Sequence, residues 1–238
     1  ATYGLWLDKK GHVLADSHIL AIDSETYYIF SEHTNPQFIR ATLEQHIVAD
    51  DVMIEAVPVL GCASTSDEGF RDFLQYLGLA YDLDSEQFVE SEAFGVAFKS
   101  KRLMGRGFEI YFTEANALES FHSFISSYPM TELSSDEMHL RRINLGIPLI
   151  PNEIGTDDLA GEGDLVPSAA SLTKGCYLGQ EVVSRLYHLG TPQRGLYVVS
   201  LLSDVETLDI QLPEILLFEG RKIGELKTLY YVDGQASS

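Results

Sequence analysis

With 238 residues, 45% of them hydrophobic and 22% charged, the chain is long enough to bury a sizeable core, in one large or two small domains. No apolar run approaches the ~20 residues that span a bilayer, and no basic stretch followed by a long apolar one opens the chain, so neither a membrane segment nor a secretory signal is expected. Sixteen Lys and Arg against 36 Asp and Glu leave a formal charge of −20, which repels polyanions and disfavours direct nucleic-acid binding. Two cysteines, Cys62 and Cys176, are too few for a disulfide framework, and the expected setting is a soluble, reducing compartment.

In chain order, Tyr3 to Leu7 and His12 to Ala21 read as strands joined by the polar turn Asp8-Lys9-Lys10-Gly11, with a third strand at Tyr27 to Phe30. Asn35 followed by Pro36 is a helix start, and Phe38, Ile39, Leu43 and Ile47 form its apolar stripe. A strand is expected from Val52 to Val59. Ser66 or Asp67 caps a second helix bearing Phe70, Phe73, Leu74 and Leu77 before the stop at Gly78. Glu92 to Lys99 and Phe108 to Phe112 read as a hairpin across the turn Met104-Gly105-Arg106-Gly107, which lacks the spacing of a phosphate-binding loop. Thr113 starts a helix with Leu118, Phe121, Phe124 and Ile125, and Ser134 or Ser135 starts another that runs to Leu145. Residues 151 to 168 are polar, acidic and punctuated by Gly and Pro, so they read as a long irregular loop, either a lid over a ligand or a disordered connector. After Pro192 the texture turns to short strands at Leu196 to Leu202, Glu214 to Phe218 and Lys222 to Leu229. The expected architecture is an α+β body over residues 1–191 followed by a small β-rich, partial-barrel module over residues 192–238.

The stretch that points to chemistry is Lys174-Gly175-Cys176-Tyr177-Leu178-Gly179-Gln180-Glu181. Two glycines allow a tight exposed turn, and Val182, Val183, Leu186 and Leu189 carry helical spacing behind it, closed by Gly190 and Pro192. Cys176 is therefore expected just ahead of a helix N-terminus. The helix dipole and the Lys174 cation would stabilise a thiolate there, whereas a lone cysteine is otherwise a small buried hydrophobe. Metal chemistry has little support, since a cluster or structural zinc takes about four ligands and the seven histidines show no ligand spacing with one another or with Cys176. His188 is the nearest histidine in sequence, more than two helical turns away, so a thiol hydrolase is disfavoured.

Lys-Gly-Cys-Tyr-x-Gly-Gln-Glu resembles the signature of the YgfZ/GcvT-like folate-binding family. Upstream, Arg142-Ile143 and Gly146-Ile147-Pro148 resemble that family's Arg-Ile…Gly-Ile-Pro segment, and Arg194 stands where it places a basic residue. The resemblance implies antiparallel and mixed sheets with packed helices around a central pocket, followed by a small C-terminal β-barrel-like module. It implies tetrahydrofolate or a derivative as cofactor, and a role as an accessory factor in assembly or repair of iron–sulfur proteins. An effect on tRNA modification would be indirect, through an iron–sulfur client. Cys176 would be the functional thiol with Lys174 beside it. Tyr177, Gln180, Glu181, Arg194 and Arg142 would hold the folate, since that ligand needs a flat apolar slot, hydrogen bonds at the pterin edge and a cation for its carboxylates. The implied partners are folate and iron–sulfur client or assembly proteins, in the cytoplasm or the mitochondrial matrix. The alternative is a tetrahydrofolate-dependent aminomethyl or one-carbon transferase of the glycine-cleavage type, disfavoured because Asn144 stands where such enzymes often carry a glutamate.

Overall fold

The computed structural model describes residues 1–83, 88–100, 107–190, 192–200 and 210–230. The chain divides into two compact units, the first formed by Ala1–Trp6, Ala15–Glu132 and Ser168–Ala170, the second by Leu7–Leu14, Leu133–Pro167 and Ser171–Ser238. The architecture is mixed α+β with antiparallel pairing.

β1 (Thr2–Leu7), β2 (Val13–Ala21) and β3 (Tyr27–Phe30), most of whose residues belong to the first unit, form one sheet in that order. A second sheet has the order β4-β7-β6-β5, built from β4 (Gly61–Ser66), β5 (Phe88–Ser91), β6 (Gly95–Lys99) and β7 (Gly107–Phe112). Period-two alternation gives this sheet two apolar faces. Ala97, Phe108, Ile110 and Phe112 pack with Phe70, Phe73 and Leu74 of α2 (Asp67–Tyr76) and Ala117 and Phe124 of α3 (Ala115–Ser127). On the opposite face Val96, Phe98 and Tyr111 meet Leu20, Tyr28 and Phe30 of the first sheet, with Phe30 and Tyr111 ring centroids 4.5 Å apart. Phe70, Phe73, Phe94, Phe98, Phe108, Phe112 and Phe124 are fully buried. Each such side chain stabilises the fold by about 1.5–3 kcal/mol, so this aromatic layer dominates the core of the first unit.

Helix starts follow local chemistry. Asn35 accepts from the Gln37 N–H at 2.8 Å ahead of α1 (Pro36–Glu44), and Ser66 accepts from the Gly69 N–H at 3.0 Å ahead of α2. In the second unit, Ser134 and Glu137 form a capping box for α4 (Ser135–Asn144), with Asp136 and Glu137 in its first turn and Arg141 and Arg142 in its last. At α3 the N-cap is Glu114 rather than Thr113, and no side chain caps it.

Several expected elements differ. Val52 to Val59 is irregular and largely exposed; pairing with β7 begins at Leu60, whose N–H donates to the Phe112 carbonyl at 2.8 Å. Pro58 lacks the N–H a ladder needs, so the strand forms after it. The strand expected over Glu92 to Lys99 starts only at Gly95, as β6, because residues 92–94 turn the chain back from β5, a strand outside that expectation. The Met104-Gly105-Arg106 part of the expected turn lies outside the described residues. Residues 196–200 are irregular rather than a strand, and the rest of that expected strand also lies outside them. The C-terminal hairpin, β8 (Glu214–Phe218) and β9 (Arg221–Leu226), forms with the turn at Glu219 and Gly220, but among the described residues no barrel closes.

Residues 151–168 depart most from expectation. They are no disordered connector: Glu153, Ile154, Asp158, Ala160, Leu165 and Val166 are buried. A 3₁₀ turn at Ala160–Gly163 and the start of the short helix α5 (Val166–Ala169) lie within them.

Candidate functional site

The signature lies in the second unit as a loop leading into α6 (Gln180–Leu189). The Ser171 hydroxyl accepts from the Thr173 and Lys174 N–H groups at 3.4 and 3.1 Å, which sets the loop's entry. Its exit is set by Gly179, the helix N-cap, at φ +77°. A Cβ on Gly179 would stand 2.8 Å from both the Asp8 carbonyl oxygen and the Gly11 Cα, and one on Gly11, at φ +82°, would meet Val182 Cβ at 3.1 Å. The turn before β2 and the start of α6 therefore touch backbone to backbone, which only glycine allows. Gly175 differs, with no heavy atom within 4 Å of where its Cβ would stand. Gly179→Ala is expected to cost about 2–4 kcal/mol, from the left-handed conformation and the clash together. Urea titration should show Gly175→Ala to be neutral, and equal losses at both positions would contradict this packing.

Cys176 is exposed, on a backbone fixed at both ends of the loop. Leu178 and Gly179 form a turn between it and the helix, so the thiol stands four residues ahead of Gln180 rather than at the helix's first turn. The helix dipole falls off within a turn, so its expected hold on the sulfur is correspondingly reduced. Lys174 is engaged with Tyr177, its Nζ 4.9 Å from the ring centroid. The Tyr177 hydroxyl is buried without a hydrogen-bond partner among the described residues, and burial pushes its ionisation upward. Gln180 donates its N–H to the Tyr177 carbonyl at 3.2 Å, and Glu181 lies in the first turn of α6, where a negative charge suits the dipole.

The two arginines belong to a different arrangement. Arg142 is bidentate with Glu153, Nη1 to Oε2 at 2.7 Å and Nη2 to Oε1 at 2.8 Å, and also donates to the Ile147 carbonyl. Glu153 further accepts from the Leu149 N–H and the Thr228 hydroxyl. Burial pushes this carboxyl up, but the hydrogen bonds from Arg142, Thr228 and Leu149, with the Arg142 charge, outweigh it and hold it below the ordinary range. Lys227 Nζ donates to the Glu153 carbonyl at 2.6 Å and to Asp158 Oδ2 at 2.7 Å. Arg194 binds Glu162 through two nitrogens at 3.0 and 2.9 Å, donates to the Asp157 carbonyl at 2.8 Å, and comes within 3.7 Å of Asp158. Three cations and three carboxylates thus fasten the chain around residues 142, 153–162, 194 and 227 together. Arg142 is closed off, its side chain 15% exposed, whereas that of Arg194 is 62% exposed and keeps an open side.

α6 also forms a wall of a pocket of about 180 Å³, which Leu159, Val166 and Pro167 close from the buried segment. Val182, Val183, Leu186 and Tyr187 line it from the helix, and Asp164 is its one charged residue. The helical stripe was legible in the sequence, but the other wall comes from the segment expected to be irregular. None of Cys176, Lys174, Tyr177, Gln180, Glu181, Arg142 and Arg194 lines it. Among the described residues no group of three or more His, Cys, Asp or Glu is placed to hold a metal ion, and no helix is long and apolar enough to cross a membrane. No protein-family model matches the chain, and no curated protein matches it.

Proposed function

We propose that this protein is a tetrahydrofolate-binding accessory factor for the assembly or repair of iron–sulfur proteins, with Cys176 as its functional thiol and any effect on tRNA modification passing through a client enzyme. The fold of this reading is the GcvT-like folate-binding one, and the setting is the cytoplasm or the mitochondrial matrix. The observation that carries the reading is the exposure of Cys176 on a loop fixed by Ser171 and Gly179, inside the Lys-Gly-Cys-Tyr-x-Gly-Gln-Glu signature. A buried structural cysteine would be packed away, and a redox or transfer thiol has to be reachable. The open flank at Gly175 leaves room for a ligand or client to approach the sulfur.

The surrounding residues fit a folate in part. The Tyr177 hydroxyl, buried and unpartnered among the described residues, would meet a pterin edge once uncovered, and Gln180 and Glu181 follow three and four residues on. Lys174 supplies a cation for the glutamate carboxylates within the signature loop, and the open side of Arg194, in the separate arrangement around Glu162, offers a second, in a protein whose net charge of −20 makes such local cations necessary. Arg142, held by Glu153 through both terminal nitrogens, acts as a positioning residue. A pocket of about 180 Å³ is smaller than the ~300–1,000 Å³ of sites that enclose drug-sized ligands, so it does not enclose a whole tetrahydrofolate.

Calorimetric titration with tetrahydrofolate tests this reading. Saturable binding is expected, weakened about tenfold in Arg194→Ala, the loss that follows from removing one charged hydrogen-bonding partner. Absence of binding to wild type would remove folate from the account.

A further inference from the structure

The pocket beside α6 is a site independent of the folate reading. From its size, lining and charge, we infer that it binds a small organic ammonium: a ring-sized or branched apolar body carrying one protonated amine. Three observations carry this. The pocket holds about 180 Å³. Cavities of about 150 Å³ in proteins take up benzene, so this space, which is partly open to solvent, has the size of a single ring rather than of a larger ligand. Apolar side chains make up most of its lining, with Val182, Leu186, Leu159 and Val166 among them, and polar atoms also face it.

The single charge is the second observation. Asp164 is exposed and its carboxylate makes no hydrogen bond or ion pair among the described residues, whereas Glu153, Asp158 and Glu162 nearby in sequence are largely buried and each is held by a cation. A carboxylate at the edge of an apolar pocket orients a ligand that pairs one positive group with a hydrophobic body. The protein's charge of −20 is the third observation, since it draws cations toward such a site and turns small anions away.

The glycines lining the pocket provide a clean test. Gly161 has no left-handed φ, and a Cβ there would meet only Pro192 Cγ, at 3.4 Å. Gly161→Leu therefore fills the space without opposing the backbone. Asp164 sits at φ 52°, a conformation that asparagine also tolerates, so Asp164→Asn removes the charge and keeps the shape. The probes are 2-phenylethylammonium and 3-phenylpropanoate, of similar size and opposite charge, titrated into the full chain with the methyl resonances of Val182 and Leu186 followed by NMR.

The ammonium is expected to bind saturably and shift those methyls, and to bind about fivefold or more tightly than the carboxylate, the scale of one solvent-accessible ion pair. Asp164→Asn should bring the two probes within about twofold of each other. Gly161→Leu should weaken the ammonium at least about tenfold through lost volume. No saturable binding, shifts confined to other methyls, or equal affinity of the two probes for wild type would overturn the assignment. The methyl shifts in wild type decide it even if Gly161→Leu were to unfold.

Discussion

Glu153→Ala is expected to lose about 3–5 kcal/mol of unfolding free energy at pH 7, the largest effect of any single polar substitution considered. The substitution leaves Arg142, only 15% exposed, without its bidentate partner, and takes away the acceptor for Thr228 and the Leu149 N–H. A buried charge without a counter-charge costs far more than the pair gained, so the loss exceeds the ~1 kcal/mol of an ordinary hydrogen bond. A loss of that size is a large share of the ~5–15 kcal/mol that stabilises a typical domain.

The same carboxyl gives the protein an acid-side dependence. Its folded-state pKa lies below the ordinary 4.5, so well above that value the carboxyl is ionised in both folded and unfolded chains and the native pair contributes in full. As pH falls below 4.5 and through the lowered folded value, that contribution is lost. Urea titrations at pH 7 and pH 4 should therefore show the gap between wild type and Glu153→Gln narrowing at the lower pH. A gap that widens on acidification would contradict the assigned direction.

Under the proposed function, Cys176→Ser is expected to abolish support of iron–sulfur enzyme maturation while changing stability by less than ~0.5 kcal/mol, as befits an exposed residue away from any cap or core. The pair of readouts is what makes the substitution informative. A structural cysteine would lose stability and function together, whereas a functional thiol loses only the second. Activity of a client enzyme in cells lacking the protein, restored by wild type or by the variant, provides the measurement. Full restoration by Cys176→Ser would leave a thiol-independent binding module.

What could be read from the sequence was local. Asn35-Pro36, Ser66 and Ser134 marked helix starts because caps act over three or four residues, and Phe70, Phe73 and Phe124 marked core faces because helical spacing reports them directly. Residues 151–168 misled because their polarity resembles that of a solvated loop. Two of their acids are held by cations far away in sequence, Asp158 by Lys227 and Glu162 by Arg194, which no short window along the chain contains, and Glu153 is held by Arg142 across the end of α4. The signature was visible with its exposed cysteine, but the division of its glycines was not. Gly179 is required by contacts with Asp8 and Gly11, more than 160 residues earlier, whereas Gly175 is not required by packing at all. The roles suggested for Arg142 and Arg194 likewise depend on carboxylates that only the fold brings to them.

That Cys176 and the folate share one site is the central claim, and the rate of thiol alkylation at Cys176 with and without saturating tetrahydrofolate tests it most directly. The account predicts a change of at least about fivefold on saturation, of the size that shielding of an exposed thiol or a changed local charge produces. A rate unaltered by tetrahydrofolate that demonstrably binds would place the ligand elsewhere and separate the thiol from the cofactor.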